Sequence, residues 1–152
     1  MNAPADDVAT ILTEEISGYV LGTNLFLNGV PTSPDNCIAI SNNPSSVPVR
    51  SLTPGDAIYH DSVQIISRNR TYAEAYADLI EIRGVLQVIH HTRYGGTSYQ
   101  LFTVINGPAL LIWDDNNRAE IVMNINIIRR DANIGGIGGI GVMIIGSTFI
   151  IN

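Results

Sequence analysis

The sequence predicts an α+β fold: a single domain with a mixed, mostly antiparallel sheet and two helices packed on it. Three observations carry that expectation. Two segments, one near the start and one after residue 70, repeat apolar residues at helical spacing. Between and after them lie short apolar or alternating runs set off by Gly, Pro and Asn, the punctuation of strands and turns. The chain has 152 residues, which suits one core rather than two. Short turns cannot join parallel strands, so strands linked by them run antiparallel.

The first helix is expected to start at Asp6 or Asp7 as cap, with Val8, Ile11, Leu12, Ile16 and Tyr19 on one face, and to end at Gly18 or Gly22. Leu25 to Leu27 reads as a short strand closed by Asn28-Gly29, and Cys37 to Ser41 as a buried strand after the link through Pro31 and Pro34. From Asn42 to His60, Pro44, Pro48, Pro54 and Gly55 fall among serines and asparagines, which predicts a long surface loop. Ser62 to Arg68 alternates as a strand.

Thr71 and Glu74 have the spacing of a capping box, in which hydroxyl and carboxylate satisfy free N–H groups at a helix start. The helix that follows is expected from Tyr72 to about His90, with Tyr72, Tyr76, Leu79, Ile82, Leu86 and Ile89 as its stripe. Ala73, Ala77, Ile80 and Val88 widen the apolar surface, so cover on more than one side is expected. Beyond Gly95-Gly96, Ser98 to Ile105 and Ala109 to Trp113 read as two strands joined at Asn106-Gly107-Pro108. Asp114 to Arg118 is a polar turn. Glu120 to Ile128 alternates, with Ile121, Met123, Ile125 and Ile127 on one face. The domain is taken as residues 1–152, with a glycine-rich apolar segment, 132–152, inside it.

Composition narrows the chemistry. Hydrophobic residues make up 45% and charged residues 14%, low enough that other subunits are expected to cover part of the surface. All eight basic residues are arginine, so Schiff-base and P-loop lysine chemistry is excluded. A net charge of -6 argues against a broad phosphate-binding surface. Cys37 is the only cysteine, so the chain has no internal disulfide, and its apolar run suggests an inert thiol. The acidic start lacks the apolar core of a signal peptide, so the Asn69-Arg70-Thr71 sequon is not expected to be glycosylated.

No catalytic or cofactor constellation stands out. His90 and His91, read as a helix end, point about 100° apart and cannot easily chelate one ion, and the helix dipole explains them more simply. Asp114-Asp115 and Asp6-Asp7 suit turn and cap roles. Gly136 to Gly141 matches G-x-G-x-x-G, but no helix and second parallel strand can follow it in the residues left. Ile134 to Ile151 approaches the length of a bilayer span. Its glycines, and the lack of flanking aromatics or following basic residues, instead favour a glycine-rich turn and a last strand, Ser147 to Ile151.

One stretch is specific. PTSPDNCIAIS, from Pro31, is a prolyl loop entering a strand. SVQIISRNRTYAEAYADLIEIRGVL, from Ser62, is a strand ending in Arg-x-Arg followed by a Tyr-x-x-Ala-Tyr helix. With DDVATILTEEI and LGTNLFLNGVP placed before them, the run from Asp6 to Ile128 resembles the tail terminator or minor capsid proteins of long-tailed bacteriophages. The resemblance implies an α+β structural protein without enzymatic activity or cofactor. It implies a hexameric ring in the virion neck, assembled in the host cytoplasm, that stops growth of the tail tube and docks to the head-side connector. DNA would pass through the lumen without specific binding, and no membrane is involved. The segment Ile134 to Ile145 departs from the family pattern in being more apolar and richer in glycine.

On that reading Arg68, Arg70, Tyr72, Tyr76, Arg83, Pro54, Tyr59, Asp114 and Asp115 are the expected interface residues. Arg68 and Arg70 would meet acidic groups of a neighbouring subunit, or else stand as solvated arginines. The loop Asn42 to His60 and the turn His91 to Gly96 would touch tube or connector, and Asp114 and Asp115 would face the lumen. Another neck or tail joining protein, such as a head-completion or tail-tube subunit, is the alternative, ahead of an unrelated small binding domain.

Overall fold

The computed structural model describes residues 1–45, 48–50 and 57–131. Pro54, the Gly136–Gly141 run and the expected last strand lie outside these residues, as does the apolar run Ile134 to Ile151. Among the described residues, two helices and seven strands form an α+β fold, as the sequence predicts.

Helix α1, Pro4–Glu15, begins two residues before the expected aspartate cap. Pro4 explains the shift, because its fixed φ and missing N–H suit the first turn. The cap comes from the sheet instead: the Asn42 side chain accepts the Ala5 N–H at 2.9 Å. The helix stops at Ile16, before either glycine; Gly18 and Gly22 serve the turns beyond it at positive φ. Strand β1, Leu25–Leu27, runs parallel to β2, Cys37–Asn43, and is the sheet's exception to antiparallel pairing.

The expected long loop between residues 42 and 60 is shorter than predicted. Strand β2 runs on to Asn43, β3 is Val49–Arg50, and β4, Ala57–Asn69, starts well before Ser62. Polar His60 and Asp61 break the alternation of the first half of β4, yet it pairs with β7 from Ile58 to Asn69.

Helix α2, Tyr72–Val88, opens on the expected cap: the Glu74 N–H donates to the Thr71 hydroxyl at 3.3 Å. The reciprocal arm differs, since the Glu74 carboxylate accepts the Thr71 hydroxyl at 2.7 Å and not its backbone N–H. The buried stripe is Ala75, Leu79, Ile82 and Leu86, continued by Ile89, while Tyr72 and Tyr76 face outward. Among the described residues the helix is covered on one side only; Ala73, Ala77 and Val88 stay exposed.

His90 and His91 are not a helix end. They open strand β5, His90–Tyr94, where His91 takes φ 48°. A ring nitrogen of His90 still meets the Val88 carbonyl at 2.8 Å, one of the free acceptors at the end of α2. After the Gly95-Gly96 turn comes a single strand, β6, Thr97–Trp113, where two were expected. Asn106-Gly107-Pro108 does not turn the chain, because register shifts on both sides of Asn106 absorb the proline as bulges. Strand β7, Ala119–Asp131, returns along it.

The strand order is β1-β2-β4-β7-β6-β5, with β3 beside β4. Alternation sorts the sheet into two faces. Ile38, Ile40, Val63, Ile65, Ile121, Met123, Ile125 and Ile127 point to the side where α1 and α2 pack, and they form one core with the helices. The opposite face carries neutral polar rows: Ser41, Gln64 and Asn124 are cross-strand neighbours, as are Asn43, Ser62 and Asn126. Asn43 bonds both Ser62 and Asn124. Each fully buried Leu or Ile of α2 contributes about 1.5–3 kcal/mol, which outweighs the helix's modest sequence amphipathicity.

Candidate interaction surfaces

The end of β4 places Arg68 and Arg70 at the strand-to-helix corner, and the structure brings Asp35, Asp114, Arg118 and Glu120 to the same place. Arg68 is buried and donates to the Pro34 carbonyl at 2.6 Å, with Glu120 at 4.0 Å. Its donors are engaged within the chain. Arg70 is exposed and donates twice to one Asp35 oxygen, at 2.8 and 2.6 Å. Arg118, which is buried, reaches the other Asp35 oxygen at 3.0 Å, the Thr32 carbonyl at 3.0 Å and Asp114 at 2.7 Å. The loop before β2 is thereby fastened to the β6–β7 turn. Asp114 also accepts the N–H groups of Asn116 and Arg118 at 2.9 Å, which closes that turn. Asp115 stays exposed beside it.

Hydrogen bonds from Arg70, then Arg118, hold the Asp35 carboxyl below its ordinary value, and Arg118 does the same for Asp114. Groups lowered on folding stabilise the fold above the ordinary carboxylate value of 3.8. That contribution is lost as pH falls from 3.8 through the folded values. Acid unfolding followed by circular dichroism should therefore show a shallower loss below this point in Asp35→Asn than in the wild type. Identical acid slopes would remove the clamp from the account.

Tyr72 and Tyr76 stack on the outer face of α2 with ring centres 5.9 Å apart, and Arg83 lies half-buried further along. Tyr59 is half-buried opposite Arg129.

A polar cluster beneath α1 escapes a sequence search for sites. Arg129 is buried, donates to Asp61 at 2.5 Å and to the Asn2 carbonyl at 2.7 Å, and lies 3.6 Å from Asp7. Asp7 also accepts from Asn2 at 2.9 Å and from the hydroxyl of buried Tyr99. Burial first, and the bond to Asp7 second, push the Tyr99 hydroxyl well up. One signal was available: Arg129 continues the inward series Ile121, Met123, Ile125, Ile127, where an arginine must find buried partners.

A cleft of about 170 Å³ lies among Tyr19, Asn24, Asn36, Cys37, Asn69 and Asp78. Asp78 accepts from Ser67 at 2.9 Å and Asn69 at 2.8 Å, and burial raises its carboxyl. Burial also raises the Cys37 thiol, which lowers its reactivity. Among the described residues, no group of three His, Cys, Asp or Glu side chains is placed to hold a metal ion. No described helix is long and apolar enough to cross a membrane.

A chain from the virion of a native gene transfer agent particle is similar in fold, with TM-score 0.49 and 13% identity over 81% of this chain and 84% of that one. No curated protein sequence matches. The family described as bacteriophage tail terminator protein matches residues 14–131, which include all of the described sheet and all of α2. The chain therefore belongs to the bacteriophage tail terminator protein family, and it is a structural virion protein, not an enzyme.

Proposed function

We propose that this chain forms a ring, hexameric as the family resemblance implies, at the head-proximal end of a phage tail. There it ends growth of the tail tube and joins the tail to the head-side connector. The family match across residues 14–131 carries this reading. The net charge of -6 supports a lumen through which DNA moves without being held, with exposed Asp115 as a candidate lining residue. Arg70, Tyr72, Tyr76, Arg83 and Tyr59 are assigned to contacts with neighbouring subunits, tube or connector. Arg68 is assigned a supporting role, holding the loop that presents Asp35.

Deleting the gene from its parent phage tests the assignment by electron microscopy. Overlong or headless tails are expected, restored to normal length by the wild-type chain supplied in trans. Unstable heads beside tails of normal length would instead make it a head-completion protein.

A further inference from the structure

Strand β5 covers β6 only as far as Leu101. From Phe102 to Trp113, β6 has β7 on one side and no strand on the other among the described residues. Protein edges of this kind are usually guarded by charge, yet residues 95–113 contain no charged side chain and no histidine. Pro108 and its bulges interrupt the middle of the edge. Past them, Leu110, Leu111, Ile112 and Trp113 are each 44–54% exposed, and Ile105 before them is 49% exposed. The four from Leu110 to Trp113 form an exposed apolar ribbon of the sort that marks an interaction surface.

The other end of the same sheet has the same character. Leu21 bridges to Leu25 on the outer side of β1, and Val20 and Leu21 are 53% and 55% exposed. Val49 of β3, on the β2 side of β4, is 56% exposed. Residues 16–34 and 36–49 carry no charge. We propose that the free edge of β6 in one copy docks on the β1–β3 end of the sheet in a second copy.

Two arguments select a second copy. A head-to-tail contact covers both apolar ends at once, whereas a two-fold contact through β6 alone leaves Val20, Leu21 and Val49 in water. Chains of net charge -6 also repel, so copies approach most easily where neither presents charge. Residues 95–113, 16–34 and 36–49 meet that condition; the charged residues at their margins include Arg50 and Asp35, the latter paired within the chain with Arg70 and Arg118. The inference rests on the ring reading and names the surface that closes the ring.

Variants with one added cysteine test it, because native Cys37 is buried. Leu21→Cys or Val49→Cys chains are mixed with Leu111→Cys or Ile112→Cys chains and treated with a short bis-maleimide. Covalent dimers are expected from the mixtures and not from any variant alone. In light scattering, Ile112→Arg should weaken assembly about tenfold or more while leaving the circular dichroism spectrum of the folded chain unchanged. Cross-linking of Ile112→Cys with itself, or only to another virion protein, overturns the head-to-tail contact. So do rings of normal size with no cross-link from any mixture, although the ring reading then stands. A wild-type chain that stays at 16.4 kDa at micromolar concentration, with and without tail tubes, overturns the ring and the contact together.

Discussion

Arg129→Ala should cost about 3–5 kcal/mol of folding stability, the usual penalty for removing one partner of a buried ion pair. The guanidinium faces Asp61 and Asp7, both buried, and also holds the Asn2 carbonyl. Alanine would leave two carboxylates near each other in the interior with no cation, a state that must take in water or protons. For a chain of this size each 1 kcal/mol moves Tm by roughly 2–4 °C, so a fall of roughly 10 °C is expected. Thermal unfolding followed by far-ultraviolet circular dichroism measures the fall, and urea unfolding measures the free energy. Tyr99→Phe, which removes only one hydroxyl from the cluster, should lose about 1–3 kcal/mol. Arg129→Met combined with Asp7→Asn and Asp61→Asn should recover much of the single-variant loss, because the damage comes from unpaired charge. A loss under about 1 kcal/mol for Arg129→Ala would mean that water already reaches the cluster.

Ile82→Ala should lose about 2–5 kcal/mol, with most of it appearing as faster unfolding if α2 docks late. Ile82 is fully buried between Leu79 and Leu86 in the seam between α2 and the sheet. Truncation removes transfer energy and leaves a void that the two flanking leucines can only partly fill. Val88 lies on the same helix but is 68% exposed, so Val88→Ala should change stability by less than about 0.5 kcal/mol in the isolated chain. The comparison is internal to one element and needs no reference protein. Equal losses at the two positions would show that the outer face of α2 is already covered in solution.

The sequence made some of this legible for physical reasons that differ from element to element. The Thr71–Glu74 cap and the inward series from Ile121 to Ile127 were readable because both patterns are local. At Asn106-Gly107-Pro108, where turn residues predict a break, β6 bulges and runs on. A strand with β7 on one side only can bulge there and continue, because the proline's missing N–H breaks no bond on the open side. The early start of β4 was hidden because Asp61 breaks the apolar rhythm, and it does so in order to meet Arg129. Asn2 and Asp7, Asp61, Tyr99 and Arg129 come from four distant places in the chain, so no window of sequence contains the cluster. The arginine corner was half legible: Arg68 and Arg70 stood out, but Asp35 and Arg118 join them only through the paths of the loop before β2 and the β6–β7 turn.

Trp113 is the only tryptophan of the chain, and it stands 44% exposed at the last position of β6. Intrinsic fluorescence therefore samples one known place on the molecule. With that strand open to water, the indole emits at the long-wavelength end of its range and is quenched by iodide. Anything that settles over the strand shifts the emission to shorter wavelength and shields it from the quencher. Native protein thus carries its own optical gauge of whether this edge is wet or dry, with no dye and no substitution required.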